Sequence, residues 1–360
     1  MNRRWICSDV WMDILPSFDR PQLGLKMALL SDRFDVLVDK HFGGKKALTI
    51  WREIRIRKDI GPKAKLSVWI DDNLVDFPLP DHPLPNKIRF TNLQIEYFDH
   101  SVIEFVRSNK QIWDRSGTKL GLYMDSEETE EVQLIWDVFI RQIWPTFATS
   151  IRHLRIDDGY HLDNLRHRTS PTILTDSNQL NSIDTYNLFP DAIADHFYGP
   201  NATAGQALSE WLHTPRKDGQ PKQLHCHNYS DESNLEWINN FKEAFRRANS
   251  SVSYIIRIDN MIIMPTEPFE LVNERTKEKL TLEKVSRYDD GDWLLKRCPI
   301  SEKAAAIQRE NNDNNLNDVT FNLWGDINKS IGPLSPPAEE EEETDKSIEI
   351  SSDCAEVNYL

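Results

Sequence analysis

The chain has 360 residues, of which 39% are hydrophobic, with 11 Trp and 15 Phe, so a wholly disordered protein is excluded. No apolar run approaches the roughly 18 residues that a membrane-spanning helix needs. The formal net charge is −15, but Pro333 to Leu360 holds nine acidic residues and one lysine, so −8 of it lies in that tail and the remainder is only mildly acidic.

Arg3-Arg4 precedes an apolar stretch as in a signal peptide, but Asp9 and Asp13 interrupt it, and a signal peptide is not expected. Ser8 can cap a first helix whose Val10, Trp11, Ile14 and Leu15 fall on one side, and Phe18 follows it. Pro21 suits the first position of a second helix carrying Leu23, Met27 and Leu30. Ser31 can cap a third helix with Phe34, Leu37, Val38 and Phe42 as its apolar positions. So small a piece cannot enclose all of these side chains by itself, and without a disulfide or metal pattern a partner is the remaining cover.

This stretch resembles an F-box. Ile6, Ser8-Asp9-Val10, Asp13-Ile14-Leu15, Phe18, Leu23, Leu25 and Ser31-Asp32-Arg33-Phe34 follow the family pattern in order, while Cys7 takes the usual place of Pro and Pro16 sits near the end of the first helix. The resemblance implies binding to the adaptor Skp1, and through it to a cullin, by Ile6, Val10, Ile14, Leu15, Phe18, Leu23, Leu25 and Phe34.

Gly43-Gly44-Lys45-Lys46 reads as a linker. Ile50 to Arg57 reads as a strand, and Leu66 to Ile70 and Leu74 to Phe77 form a hairpin around Asp72-Asn73. Arg52, Arg55, Arg57, Lys58, Lys63 and Lys65 make a local basic patch, read first as a solvated strand face. From Ile88 a unit recurs: strand, polar turn, amphipathic helix. Its strands are Ile88 to Tyr97, Lys119 to Met124, Ile151 to Ile156, Leu180 to Tyr186, Gln223 to Tyr229 and Val252 to Ile258. Val132, Ile135, Trp136, Phe139 and Ile143 illustrate the helical stripes between them. Trp113, Trp144, Trp211 and Trp237 recur in these helices and are expected in the core.

Units with one apolar face must stack, which predicts an α/β fold: a curved array with a parallel sheet on one side and helices on the other. Phe269 to Asn273, Lys279 to Val285 and Trp293 to Cys298 read as an antiparallel meander that caps the end. The array is similar to the divergent leucine-rich-like regions that follow F-boxes, especially in the expanded nematode families. Trp211-Leu212-His213-Thr214-Pro215-Arg216-Lys217 and Phe269-Glu270-Leu271-Val272-Asn273-Glu274 add to that similarity. The expected organisation is thus an F-box-like domain at 5–43, a β/α repeat region at 47–300 and a largely disordered acidic tail at 301–360. In that tail Ser347-Ile348-Glu349-Ile350 is faintly similar to a SUMO-interacting motif.

A catalytic constellation is not legible. Phosphate loops, nucleophile elbows and paired metal-binding histidines on a helix are all missing from the sequence. His225-Cys226-His227 is the most suggestive cluster, but alternation along a strand puts Cys226 opposite the histidines, and it reads as a buried Cys between two solvent-side His. Asp157-Asp158 and Asp71-Asp72 read as turn residues. The four cysteines, Cys7, Cys226, Cys298 and Cys354, lie far apart, which suggests a reducing compartment, cytoplasmic or nuclear. The expectation is a non-catalytic substrate receptor of a ubiquitin ligase, without cofactor or metal. A repeat-type interaction scaffold is the alternative, and a nucleic-acid binder fits the acidic balance poorly.

Overall fold

The computed structural model describes residues 7–18, 23, 27–41, 48–51, 54–59, 63–70, 73–84, 88–90, 92–124, 129–191, 201–227, 235–259, 267–285, 293–300 and 317–323. Ile6, Leu25, Phe42, the linker at 43–46, Asp71-Asp72 and, of the expected tail, residues 301–316 and 324–360 lie outside them.

The N-terminal segment is helical. Helix α1 (Ser8–Ile14) runs into a 3-10 turn at Leu15–Ser17; a second 3-10 turn at Ala28–Leu30 precedes helix α2 (Asp32–His41). Ser8 is the first helical residue rather than the cap, which falls on Cys7 and has no side-chain cap bond. Pro16 is tolerated because it sits in the first turn of the 3-10 segment, where a backbone N–H is not needed. Ser31 stands in extended conformation before α2, and its carbonyl accepts from Asp35 N at 3.0 Å.

Thirteen strands form one mixed sheet among the described residues. Strand β1 (Leu48–Trp51) stays outside it, pairing in parallel with β5 (Ile88–Phe90). An antiparallel meander of β2 (Ile54–Lys58), β3 (Ala64–Ile70) and β4 (Asn73–Pro78) makes one flank of the large sheet. Then come β6 (Leu93–Ile95), β7 (Thr118–Met124), β8 (Ile151–Ile156), β9 (Ser182–Tyr186), β10 (Lys222–His227) and β11 (Tyr254–Asp259). The pairs from β7 to β11 are parallel and strictly in chain order. The far flank is the expected antiparallel meander, β12 (Phe269–Asn273), β13 (Glu278–Lys284) and β14 (Trp293–Pro299), with β14 laid antiparallel on β11.

The connecting helices are α3 (His100–Ser108) and α4 (Lys110–Ser116); α5 (Glu130–Val138), which leads through a π-turn at Phe139–Ile143 into α6 (Trp144–Phe147); α7 (Gly159–Arg168) and α8 (Ile173–Asp176); α9 (Ala204–His213); and α10 (Leu235–Arg247). The π-turn has a cause in the sequence: Pro145 cannot extend the α-helical ladder, and the backbone widens ahead of it. Several of these helices begin with a side-chain cap. Asp99 accepts from Val102 N at 2.9 Å, Asp158 from His161 N at 3.0 Å, and Thr203 forms a reciprocal capping box with Gln206. Because each parallel strand adds on the same side of its predecessor, right-handed crossovers put every connecting helix on one face. Burial agrees: Leu120, Leu122, Leu154, Ile156, Ile183, Thr185, Leu224, Cys226, Ile256 and Ile258 are enclosed, while Lys119, Arg155, Tyr186, His225, His227 and Arg257 alternate with them on the open side. Trp113, Trp144 and Trp211 are buried as expected, and Trp237 is half-buried with its Nε1 donating to the Pro190 carbonyl at 2.7 Å.

The expected organisation changes at three places. The strand expected over Ile50 to Arg57 is divided between β1 and β2, and the one expected over Ile88 to Tyr97 between β5 and β6, each pair split between the small and the large sheet. Strand β15 (Asn317–Leu323), placed by sequence in the acidic tail, lies in the middle of the sheet between β6 and β7 and parallel to both. Val319 and Phe321 are fully enclosed, and the Phe321 ring sits 5.1 Å from Phe139, 5.7 Å from Phe98 and 6.0 Å from Phe147. The folded body therefore extends past residue 300; residues Met1–Asn328 form one unit and Lys329–Leu360 another. Among the described residues no helix is long and apolar enough to cross a membrane.

Candidate functional site

Two places in the fold gather residues singled out by sequence. The first is the N-terminal helical segment. Its own small core holds Leu15, Leu23, Ala28, Leu37 and Val38, with Trp11, Met12, Phe18, Met27 and Phe34 packed around it. Trp11 and Phe34 meet edge-on with ring centroids 4.8 Å apart, which ties α1 to α2. Leu15 and Leu23 are 0% and 1% exposed. That corrects the expectation that they face a partner: they hold the helices together. Ile14, Phe18 and Phe34 are half-buried, and Val10 is 46% exposed. Two exposed residues were not singled out as partner contacts, Leu30 at 63% and Val36 at 65%. Val10, Leu30 and Val36 are half of the exposed large apolar residues among the described ones, in one short segment. Val36 lies off the apolar stripe of its helix and still carries a large aliphatic side chain, whereas Leu30, expected on the stripe with Leu23 and Met27, ends a 3-10 turn with its side chain outside the core.

The second place is the open face of the sheet, near the C-terminal ends of β8 to β11. The parallel register sets Asp184 beside His225 and Asp259 beside His227, all on the same side of the sheet. The rings of His225 and His227 lie 3.9 Å apart, and Tyr186 stacks on His227 at 4.5 Å. Asp259 Oδ2 is 2.6 Å from His225 Nε2 and 3.1 Å from His227 Nδ1, while its Oδ1 accepts from Arg257 Nε at 3.1 Å. Asp184 is divided the same way. Its Oδ1 faces His225 Nδ1 at 3.9 Å, and its Oδ2 faces His153 Nε2 at 2.9 Å, Arg155 Nε at 3.5 Å and Lys119 Nζ at 3.9 Å. Burial opposes ionisation of Asp184, but the hydrogen bond and charge of His153, followed by Lys119 and Arg155, hold its carboxyl well below the usual range. Burial, then the neighbouring His225, lowers the His227 pKa despite the carboxylates of Asp259 and Asp184. Asp184, His225 and His227 each offer one ligand atom, and these atoms lie within 4.8 Å of one another.

Sequence reasoning placed the two histidines on one face and Cys226 on the other, and Cys226 is fully buried. The carboxylates were out of its reach, because Asp184 and Asp259 come from the two flanking strands and only the sheet register brings them to the histidines. Asp158, read as a turn residue, caps α7 and holds the buried His161 Nδ1 at 2.5 Å.

Three residues of the basic patch, Arg55, Arg57 and Lys65, are paired with acids, and Arg52 lies outside the described residues. Lys65 Nζ meets Asp76 at 2.7 Å and Asp59 at 3.3 Å, Arg57 meets Asp76 at 3.4 Å and Arg55 meets Glu96 at 3.6 Å. The hydrogen bond from Lys65 is the main cause that lowers the Asp76 pKa. An open cavity of about 330 Å³, lined by Arg152, Asn181, Arg216, Lys217 and Asp218 among others, lies at the opposite, N-terminal ends of β8 to β10.

No known protein family matches this chain, and neither a curated protein nor a solved structure does.

Proposed function

We propose that this chain is the substrate-recognition subunit of a Skp1–cullin–F-box ubiquitin ligase, with residues 5–43 as an F-box and a leucine-rich-like β/α array as the target-binding part. The observation that carries the reading is the surplus on the helical segment. Val10, Leu30 and Val36 stay exposed although the segment has its own closed core of Leu15, Leu23, Ala28, Leu37 and Val38. Exposed aliphatic side chains concentrated beside a formed core are the expected surface for an obligate partner.

The one-directional strand order supports the second half of the reading. Parallel strands added in sequence, with the helices on one face, leave a broad polar sheet face and a row of strand-end loops available to a target. Such a receptor needs no catalytic residue, since holding the target near a ubiquitin-charged enzyme raises its effective concentration.

The test is co-purification with Skp1. The full chain is expected to retain Skp1, and Val10→Asp, Leu30→Asp and Val36→Asp are each expected to weaken retention while leaving thermal unfolding unchanged. Retention by all three variants, or none by the wild-type chain, overturns the reading. Leu15→Ala is unsuitable here, because Leu15 supports the helical core itself.

A further inference from the structure

We propose that Asp184, His225 and His227 form a binding site for a divalent transition-metal ion of the zinc, cobalt and iron(II) class on the open face of the sheet. This goes beyond the ligase reading and does not depend on it.

Two imidazoles and one carboxylate on adjacent strands are a ligand set that such ions take, with remaining positions left for solvent or a bound group. The residues already converge: their ligand atoms lie within 4.8 Å of one another, and His225 Nδ1 to Asp184 Oδ1 is 3.9 Å. Two donors on one tetrahedral ion, each at about 2.0–2.2 Å, stand about 3.4 Å apart. Closing the set therefore needs side-chain rotations that bring the donors together by about 0.5–1.4 Å.

The surroundings resemble the outer support of a metal centre. Ligating histidines commonly have their other ring nitrogen held by a carboxylate, and ligating carboxylates are themselves held by neighbours. Asp259 Oδ2 takes the Nε2 side of His225 at 2.6 Å, which leaves Nδ1 directed at Asp184. Asp259 is in turn fixed by Arg257 through its other oxygen, at 3.1 Å. Asp184 uses Oδ2 for His153, Arg155 and Lys119, so that Oδ1 remains toward the histidines. In the site so formed, Asp184 Oδ1, His225 Nδ1 and a ring nitrogen of His227 hold the ion, and Asp259 orients His225. The cationic groups sit on the outer oxygens and temper the affinity. Cys226, in between along the strand, faces the core and takes no part.

Cobalt(II) alone, and zinc(II) alone, titrated into the chelator-treated full chain, test this. One equivalent of Co(II) is expected to bind with visible d–d bands of nitrogen and oxygen ligation and without a sulfur-to-cobalt charge-transfer band. His225→Gln, His227→Gln and Asp184→Asn are each expected to weaken binding by roughly 100-fold, at the upper end of the 10–100-fold that loss of a supporting residue costs. A measurement on the wild-type chain guards against variants that fail to fold: zinc should shield His225 and His227 from diethyl pyrocarbonate, read by mass spectrometry, while the exposed His100 stays reactive. The proposal is overturned by absence of binding at about 100 μM metal, an affinity typical only of weak sites. A sulfur charge-transfer band, binding that survives the His225→Gln/His227→Gln pair, or histidines left unshielded by bound zinc would overturn it equally.

Discussion

Removing the Phe321 side chain should destabilise the whole sheet, even though Phe321 lies in the segment that composition assigns to a tail. The ring is fully enclosed and touches three others, Phe139 of the π-turn, Phe98 before α3 and Phe147 of α6, with centroids 5.1–6.0 Å away. A Phe→Ala change at such a site costs about 3–5 kcal/mol, a large share of the 5–15 kcal/mol that typically holds a folded chain together. Urea unfolding followed by tryptophan fluorescence measures it. With a slope of about 3 kcal/mol/M, a loss of 4 kcal/mol lowers the midpoint by about 1.3 M. Two truncations locate the effect. Ending the chain after Asn328 should leave the midpoint in place, whereas ending it after Leu316 deletes β15 and should lower it at least as far as Phe321→Ala. A shift below about 0.3 M for Phe321→Ala, together with equal midpoints for both truncations, would refute a central β15, since about 1 kcal/mol is within reach of an ordinary substitution.

The buried pair Glu278–Arg297 gives a second prediction. Arg297 donates to Glu278 Oε2 at 2.7 Å and 3.1 Å, and Glu278 Oε1 accepts from Ser251 Oγ and Val252 N, both at 2.8 Å. Glu278→Ala strands the guanidinium and should cost about 3–5 kcal/mol in chemical denaturation, while a paired Glu278→Leu/Arg297→Met change recovers most of it; equal losses for the two variants would contradict this. Lys222 gives a pH prediction. Burial, then the neighbouring Arg216, brings its ammonium down to about 7, although Nζ donates to the Trp211 carbonyl and lies over that indole at 4.9 Å. Between about pH 7 and 10 the unfolded chain keeps a proton here that the folded chain releases, so this group makes stability rise with pH by a few kcal/mol. The rise should be absent in Lys222→Met, and parallel stability–pH curves for the two proteins would show that Lys222 stays charged when folded.

The strands of the array were legible because a half-buried strand alternates: Leu224 and Cys226 in β10 and Tyr254, Ile256 and Ile258 in β11 are buried while the residues between them are not, and β8 has the expected ends. The helices were legible from their stripes, but their caps were not: Asp158 read as a turn residue, and Asp99 was not singled out, although its carboxylate accepts from Val102 N. Pairing was not, because it depends on which strand ends next to which. β15 shows the cost: Val319, Phe321 and Leu323 alternate with polar residues, yet they follow an Asn-rich run and precede a five-Glu run, and nothing local says that β6 and β7 leave a gap for them. The helical segment divides in the same way. Spacing identified its apolar residues, but only packing separates Leu15 and Leu23, which close the core, from Val10, Leu30 and Val36, which remain outside. The histidine–carboxylate cluster was half legible: strand alternation pairs His225 with His227, while Asp184 and Asp259 join them only through the register of three strands.

The most direct test of the receptor reading is a calorimetric titration of the purified full chain with purified Skp1. The reading predicts saturable binding of one Skp1 per chain, lost by more than about 1.4 kcal/mol, or tenfold, in the Leu30→Asp/Val36→Asp variant. Absence of binding with both proteins at about 10 μM, a level at which even a modest specific complex forms, would contradict it.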